Sequence, residues 1–255
     1  MKIGIKQFSN KFEQYKENLI KYRNTFDYIE LYVYPDNPEV LEKWIELKNF
    51  GIKFTLHAPH FSQGVNLADK TFFDKNKKAY EIINKFAKAL DVEYTVVHGG
   101  MDGNVEEIVR QLEIIKPYKM RIENKPFVAP RKPDSMVCRG ATTEEIRYIM
   151  NHLNCEFNFD IGHAFCSAIS QKINPYEYME EFLNLKPASY HISDGEINNQ
   201  IDIHRHIGDG DYNWNKILTK LDKNKNLTLE TITKKENGEF DKILEDIKFL
   251  KNFYN

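Results

Sequence analysis

Short apolar runs alternate with longer stretches of helical period from one end of the chain to the other. The runs Lys2–Phe8, Asp27–Val33, Lys53–His57, Tyr94–His98, Lys119–Glu123, Cys155–Asp160, Ser189–Ser193 and Leu227–Glu230 read as eight β-strands. Between them lie helix-length segments at Pro38–Asn49, Lys70–Leu90, Val105–Ile115, Thr143–Asn151, Pro175–Leu185, Trp214–Leu221 and Phe240–Phe253. After Lys70, the apolar residues Tyr80, Ile83, Phe86, Ala87 and Leu90 recur near the helical period. Thr142-Thr-Glu-Glu145 has the form of a capping box ahead of an apolar run. No linker, repeat or shift of composition divides the chain. Eight β-α alternations predict a single (β/α)₈ barrel over residues 1–255. A doubly wound open sheet would have fewer strands and a Gly-rich turn after the first.

The phase of each strand says which side chains face the barrel axis. Phe54 and Leu56 share one face, Thr55 and His57 the other. Met120 and Ile122 oppose Arg121 and Glu123, and Phe157 and Phe159 oppose Asn158 and Asp160. Tyr190 and Ile192 oppose Ser189, His191 and Ser193, while Leu227 and Leu229 oppose Thr228 and Glu230. In a barrel the apolar face meets the helices and the other face points inward. Five strands therefore send a His, Asp or Glu to the axis near their C-terminal ends, and His98 adds a sixth. That end is where barrels of this kind carry their sites. Arg121, on the inward face, is expected to pair with Glu30.

Composition changes this picture little. Of 255 residues, 41% are hydrophobic and 29% charged, which excludes a disordered chain. No apolar run approaches the roughly 18 residues of a membrane span. The N-terminus has neither a signal-peptide core nor a transit-peptide pattern, so a cytoplasmic location is expected. A net charge of −2 excludes a globally basic nucleic-acid binder but leaves local patches open. Cys138, Cys155 and Cys166 form no CxxC pair, and Cys155 reads as a small core residue.

The chemistry lies in the histidines. Seven of the eight (His57, His60, His98, His163, His191, His204 and His206) follow or end a strand, and only His152 sits in a helix-like segment. Buried imidazoles and carboxylates without partners are costly, so so many inward-facing ones at one mouth point to metal ions. Asp160-Ile-Gly-His163 puts a second donor just past its strand. Asp202-Ile-His204 is an extended pair on one face, and Gly208-Asp-Gly210 permits a tight turn beside it.

The segments LHAPHFSQGVNLAD, VVHGG, RIENK, FDIGHAF, YHISD, DIHRHIGDGDYNW and LETI run in order from residue 56 to residue 232. In these the chain resembles the endonuclease IV family of zinc-dependent apurinic/apyrimidinic endonucleases, within the wider xylose-isomerase-like superfamily. The resemblance implies three divalent ions, zinc foremost, with manganese or iron as alternatives. It assigns His57, His98 and Glu123 to one ion. Glu123 bridges to a second, completed by Asp160, His191 and Glu230, and His163, Asp202 and His204 take the third. It further implies hydrolysis of DNA at abasic sites, with Glu123 and Glu230 as catalytic residues and a metal-generated hydroxide attacking the phosphodiester in line. Three divalent ions against the four carboxylates Glu123, Asp160, Asp202 and Glu230 leave about +2, which suits a phosphate and not a neutral sugar. The rival is a sugar isomerase or epimerase of the same superfamily. It would hold one metal on Glu123, Asp160, His191 and Glu230, using the two glutamates as acid and base, and would leave five ligand-type residues without a role.

Substrate contacts are less sharply written. Tyr32-Val-Tyr-Pro-Asp-Asn37 departs from the family pattern, and Tyr32 and Tyr34 read either as base-stacking residues or as plain surface. His60 stands where the family more often has Tyr and is a candidate phosphate or supporting contact. The loop Lys125–Arg139 carries Lys125, Arg131, Lys132 and Arg139, with Arg131 and Lys132 as candidate phosphate contacts. His206 is a candidate for orienting substrate. No membrane partner and no obligate protein partner are expected.

Overall fold

The computed structural model describes residues 1–129, 136–231 and 239–254. Its centre is a closed parallel barrel of β1 (Lys2–Phe8), β2 (Tyr28–Tyr32), β3 (Phe54–His57), β4 (Thr95–His98), β5 (Met120–Glu123), β6 (Glu156–Asp160), β7 (Ser189–Ile192) and β8 (Asn226–Leu229). Each strand pairs in parallel with its neighbours in the chain, and β1 closes on β8 from Lys2↔Asn226 to Ile5↔Leu229. The (β/α)₈ architecture expected from the alternation is therefore the one observed. Around the barrel lie α1 (Phe12–Lys21), α2 (Leu41–Asn49), α3 (Phe73–Leu90), α4 (Val105–Ile115), α5 (Thr143–Leu153), α6 (Ile161–Gln171), α7 (Pro175–Leu183), α8 (Trp214–Leu218) and α9 (Glu239–Tyr254). Among the described residues no helix is long and apolar enough to cross a membrane.

The strand phases behave as the alternation requires. Ile29, Leu31, Phe157, Phe159, Leu227 and Leu229 join one apolar layer with Trp44, Leu47, Ile83, Phe86 and Phe182 from the helices. Burying each such side chain stabilises the fold by about 1.5–3 kcal/mol. The opposite faces fill the barrel with polar groups. Asn158, Ser189, Thr228 and Glu30 are all fully buried there, tied by Ser189 Oγ donating to Asn158 Oδ1 at 2.5 Å and Thr228 Oγ1 donating to Glu30 Oε2 at 3.2 Å. Arg121 does not reach Glu30. Its Nε donates to Glu156 Oε2 at 2.8 Å, and its guanidinium lies 3.6 Å from the centroid of Tyr94. Glu30 is instead taken by His191, whose Nε2 donates to Oε2 at 2.9 Å.

Helix starts follow local capping chemistry. Asn104 Oδ1 accepts from Glu107 N at 2.8 Å and Thr142 Oγ1 from Glu145 N at 3.3 Å. Glu145 accepts from Gly140 N at 2.7 Å, so it ties down the backbone two residues before the Thr142 cap rather than the cap itself. Two helices lie outside the segments named from the sequence. α1 carries its buried Phe12, Tyr15 and Leu19 on a short, highly charged stretch. α6 is buried on every side over Ile161–Ala168, so it shows no polar face, and it begins without a loop at the last residue of β6. Conversely α8 stops at Leu218 rather than Leu221.

Gly4 on β1 stands opposite Tyr28 on β2, and a Cβ at Gly4 would fall within the Tyr28 ring. Tyr28 is held there by its hydroxyl, 2.9 Å from Thr228 Oγ1. Gly4→Ala is expected to destabilise the chain by about 1–3 kcal/mol through overpacking. The measurement is the denaturant midpoint, and an unchanged midpoint would contradict this packing of the inner layer.

Candidate metal centre at the barrel mouth

Strand register brings the donors together. His98 on β4 stands level with Glu123 on β5, Asp160 on β6 with His191 on β7, and Tyr32 on β2 with His57 on β3. Level residues on neighbouring strands lie about 5 Å apart, so their inward side chains converge. Three groups have ligand atoms all within 4.8 Å of one another and could each hold a metal ion: His57, His98 and Glu123; Glu123, Asp160, His191 and Glu230; and His163, Asp202 and His204. These are the three sets that the sequence resemblance implied. A fourth group, Glu30, His57, His191 and Glu230, overlaps them.

The donor atoms fit cations. His57 Nε2, His191 Nδ1, His204 Nδ1, Asp160 Oδ2, Asp202 Oδ2 and Glu230 Oε2 are buried and have no hydrogen-bond partner among the described residues. Such orphans are expensive unless a cation satisfies them. The far side of several rings is fixed, as metal-binding imidazoles require. His57 Nδ1 donates to Ala58 O at 2.8 Å and His163 Nδ1 to Asn124 O at 2.8 Å, leaving each Nε2 free. His191 is reversed: Nε2 is spent on Glu30, and Nδ1 faces Glu230 Oε2 at 2.8 Å and Glu123 Oε2 at 3.2 Å. Asp160 serves twice, since Oδ1 caps α6 by accepting from His163 N at 2.7 Å while Oδ2 stays free. Imidazole and carboxylate donors mixed in this way suit zinc and its first-row neighbours.

A family model for the xylose isomerase-like TIM barrel matches residues 23–253. The chain belongs to that family. A protein of Methanocaldococcus jannaschii is 24% identical over an alignment of 204 residues that covers 72% of this chain and 66% of that protein, so the chain spans a little under two thirds of its relative. Among solved structures, a D-tagatose 3-epimerase-like protein superposes with a TM-score of 0.71 at 22% identity, covering 100% of both chains. Endonuclease IV from Thermus thermophilus superposes with a TM-score of 0.70 at 16% identity over 99% of this chain and 100% of that one. At these identities the likeness is one of fold.

Electrostatics in this xylose isomerase-like barrel are set by crowded carboxylates. Burial raises the Asp160 carboxyl, and Asp202, Glu123 and Glu230 add to the shift; His163 opposes it, and the result is about 7. Burial alone would lower His163, but Asp160 and Glu123 outweigh it and push the imidazole up to about 9. His191 is likewise raised against its burial by Glu30 and Glu123. Without a cation the site thus draws in protons to fill the same need.

Several residues that sequence reasoning passed over complete the mouth. Lys6 on β1 is buried and donates to Glu230 Oε1. Burial would lower its pKa, yet Glu230, Glu30 and Glu123 hold it above the ordinary lysine value. Asn124 donates through Nδ2 to Asp160 O and accepts from Asp160 N, both at 2.8 Å, locking the end of β5 to the end of β6. Asp194 organises the loop that carries Asp202 and His204, accepting from Gly208 N at 2.7 Å and from Trp214 Nε1 at 2.9 Å. A Cβ at Gly210 would strike Gly195 O and Asp194 Oδ1, which is why this turn needs glycine. His204 itself sits at φ +48°, an uncommon backbone state for a non-glycine residue.

The substrate-side expectations divide. His60 stacks on His98 with ring centroids 5.3 Å apart and belongs to the mouth. Lys125 is buried and its Nζ donates to His98 Nδ1 at 3.1 Å, so it is part of the centre and not a loop contact. Arg139 turns away to Glu145 at 3.1 Å. His206 is drawn aside, with Nδ1 2.6 Å from Asp246 Oδ2 on α9, and it lines a separate surface hollow with Ile207 and Lys242. Tyr32 is buried rather than solvent-facing, and Tyr34 is partly so. Arg131 and Lys132 lie outside the described residues. A cavity of about 420 Å³ opens beside His204 and Glu230, walled by Lys6, Phe8, Tyr32, Tyr34 and His60. A larger hollow of about 810 Å³ lies at the opposite end of the barrel, around Tyr94, Lys119 and Cys155, and carries none of the clusters.

Two outcomes are expected. His163 has a folded value near 9 against 6.5 for the free side chain. The stability it contributes to the metal-free chain is present below 6.5 and lost as pH rises through 9. Melting curves of chelator-treated protein should therefore shift down across that window. Zinc should abolish the shift and release protons on binding, read by calorimetry in two buffers of different ionisation enthalpy. A flat metal-free profile would contradict the arrangement. Separately, Asp194→Ala should cost about 3 kcal/mol by leaving buried N–H donors unpaired. Hydrogen exchange should rise in residues 195–213 and leave β1–β4 as they were.

Proposed function

We propose that the protein is a metal-dependent phosphodiester hydrolase that cuts DNA at abasic sites, using up to three divalent ions of the zinc type. The observation that carries this reading is the sharing of Glu123 between two complete clusters with a third beside them. A one-metal enzyme has no need of His57, His98, His163, Asp202 and His204 as buried donors at the same mouth. Divalent ions bound there supply Lewis acidity and make water acidic enough to attack near neutral pH. The chain's own part is to hold and orient. Glu123 spans two clusters, with both oxygens surrounded by imidazoles. Glu230 offers Oε2 to the centre while Lys6 holds Oε1. Asp202 and His204 reach in from a loop fixed by Asp194.

A second reading rests on a specific observation. The quartet Glu123, Asp160, His191 and Glu230 is complete by itself, and the adjoining cavity has the size of a small molecule rather than a duplex. A sugar isomerase or epimerase would use this quartet with one metal.

Elemental analysis and two assays on one preparation separate the readings. Glu123→Ala should lose metal at two positions and His163→Ala at one. In the one-metal reading His163→Ala leaves the count unchanged. A duplex with a single abasic site should be nicked on its 5′ side. Glu123→Gln and Glu230→Gln should each lower that rate by about a thousandfold or more. Sugar turnover without nicking would reverse the choice.

A further inference from the structure

The cavity beside Glu230 has a cation at its root, Lys6, which the readings above use only to hold Glu230. Lys6 lies on the inward face of β1 with only 8% of its side chain exposed. An ammonium has three donors, and among the described residues the hydrogen bond it makes is to Glu230 Oε1. Lys6 also lines the cavity, together with Lys11, His60 and Ser62. Part of the wall is aromatic, with Lys6 Nζ 5.5 Å from the centroid of the Tyr32 ring and Lys11 Nζ 5.2 Å from that of Phe8. Phe8, Tyr32 and Tyr34 stand in mutual contact, with centroids 5.6 Å apart for Phe8–Tyr32, 6.3 Å for Phe8–Tyr34 and 5.3 Å for Tyr32–Tyr34. Tyr32 is fixed from behind by its hydroxyl donating to Gln63 Oε1. A buried ammonium with donors to spare among the described residues, beside three aromatic rings tilted 58–59° to one another and next to the clusters, is suited to an anionic group carried by a ring.

We propose that Lys6, seconded by Lys11, is a substrate-binding residue that takes a phosphoryl oxygen, while the attached sugar ring lies against Phe8 and Tyr34. A phosphoryl group matches this site better than a carboxylate. Its oxygens can accept from Lys6 while still facing the metal clusters, whose nearest donors on this cavity are His204 and Glu230. Lys6 would then bridge Glu230 and the substrate, setting the distance between the reacting phosphorus and the centre. The inference deepens the hydrolase reading, but the same chemistry is offered by a DNA strand or by a sugar phosphate. It is tested by binding, so it can fail while that reading stands.

The first probe is inorganic phosphate, titrated into the zinc-loaded chain by calorimetry with the zinc content measured alongside. Lys6→Met should weaken phosphate binding about ten- to a hundredfold, the range for a lost charged hydrogen bond, at unchanged zinc content. Lys6→Arg should restore most of it. Equal affinity in Lys6→Met would overturn the proposal. So would loss of zinc in both variants, because Lys6 would then act only by holding Glu230. A measurement on the unmodified chain keeps the test independent of folding: the ¹⁵Nζ resonance of Lys6 should shift on addition of phosphate, and a fixed resonance would also overturn it. Three further titrants identify the source. A Lys6→Met deficit with a short abasic oligonucleotide assigns the DNA backbone, and one with a sugar phosphate alone assigns the small molecule. An equal deficit with a neutral sugar would refute an anion site.

Discussion

A single carboxylate governs the mouth of this barrel. Glu123 is fully buried, and four imidazoles crowd it: His57 at 3.6 Å, His98 at 3.1 Å, and His163 and His191 each at 3.2 Å. Asn158 adds an N–H donor at 3.2 Å. Burial by itself would push such a carboxyl toward its neutral form. Here His191 and His98 outweigh burial, and Glu123 is held well below the ordinary value. A charge fixed so firmly at the axis has to be answered, and nearly every polar residue around the mouth is arranged to answer it.

The barrel makes that arrangement possible because its closure fixes heights. In a parallel sheet that returns on itself, one strand cannot slide without moving the rest, and a slip of one residue would turn each donor outward. His98 level with Glu123 and Asp160 level with His191 are thus consequences of the same closure. The third cluster escapes the sheet. Asp202 and His204 come from an irregular loop, which Asp194 holds by gathering its N–H groups and for which Gly210 leaves room. Asp160 joins the two systems, ending β6, capping α6 and presenting its second oxygen to the centre.

The strand phases made the barrel and its inward donors readable, since alternation is a local property of each run. Asn158 and Glu230 were placed on the inward face by the same argument. Lys6 and Asn124 were not, though Lys6 has the inward phase of β1: the phase of that strand says nothing about which partner lies across the barrel. The pairing of Arg121 shows the limit. Phase puts Arg121 and Glu30 both inside, but height along the axis decides contact, and Arg121 sits low, beside Glu156 and Tyr94. Glu30 lies instead within reach of His191. His206 failed for a different reason. Its neighbour Asp246 is 40 positions away on α9, a contact that no local pattern carries. α6 was hidden because a helix buried on all sides has no periodicity to see.

Lys6, Lys125 and Glu30 also change the charge balance at the mouth. Five carboxylates (Glu30, Glu123, Asp160, Asp202 and Glu230) face two ammonium groups, a formal charge of about −3 before any metal. One divalent ion brings this to about −1 and three bring it to about +3. The substrate's charge then follows from the number of metals held. A centre near −1 attracts an anionic substrate less and suits a neutral sugar better. A centre near +3 is stable in a buried mouth only if anions neutralise it, which a phosphodiester and a hydroxide do between them. The third cluster, Asp202 and His204 with His163, is therefore the part of the molecule on which substrate class turns. It adds an ion against one carboxylate, and so moves the centre about one unit toward positive charge.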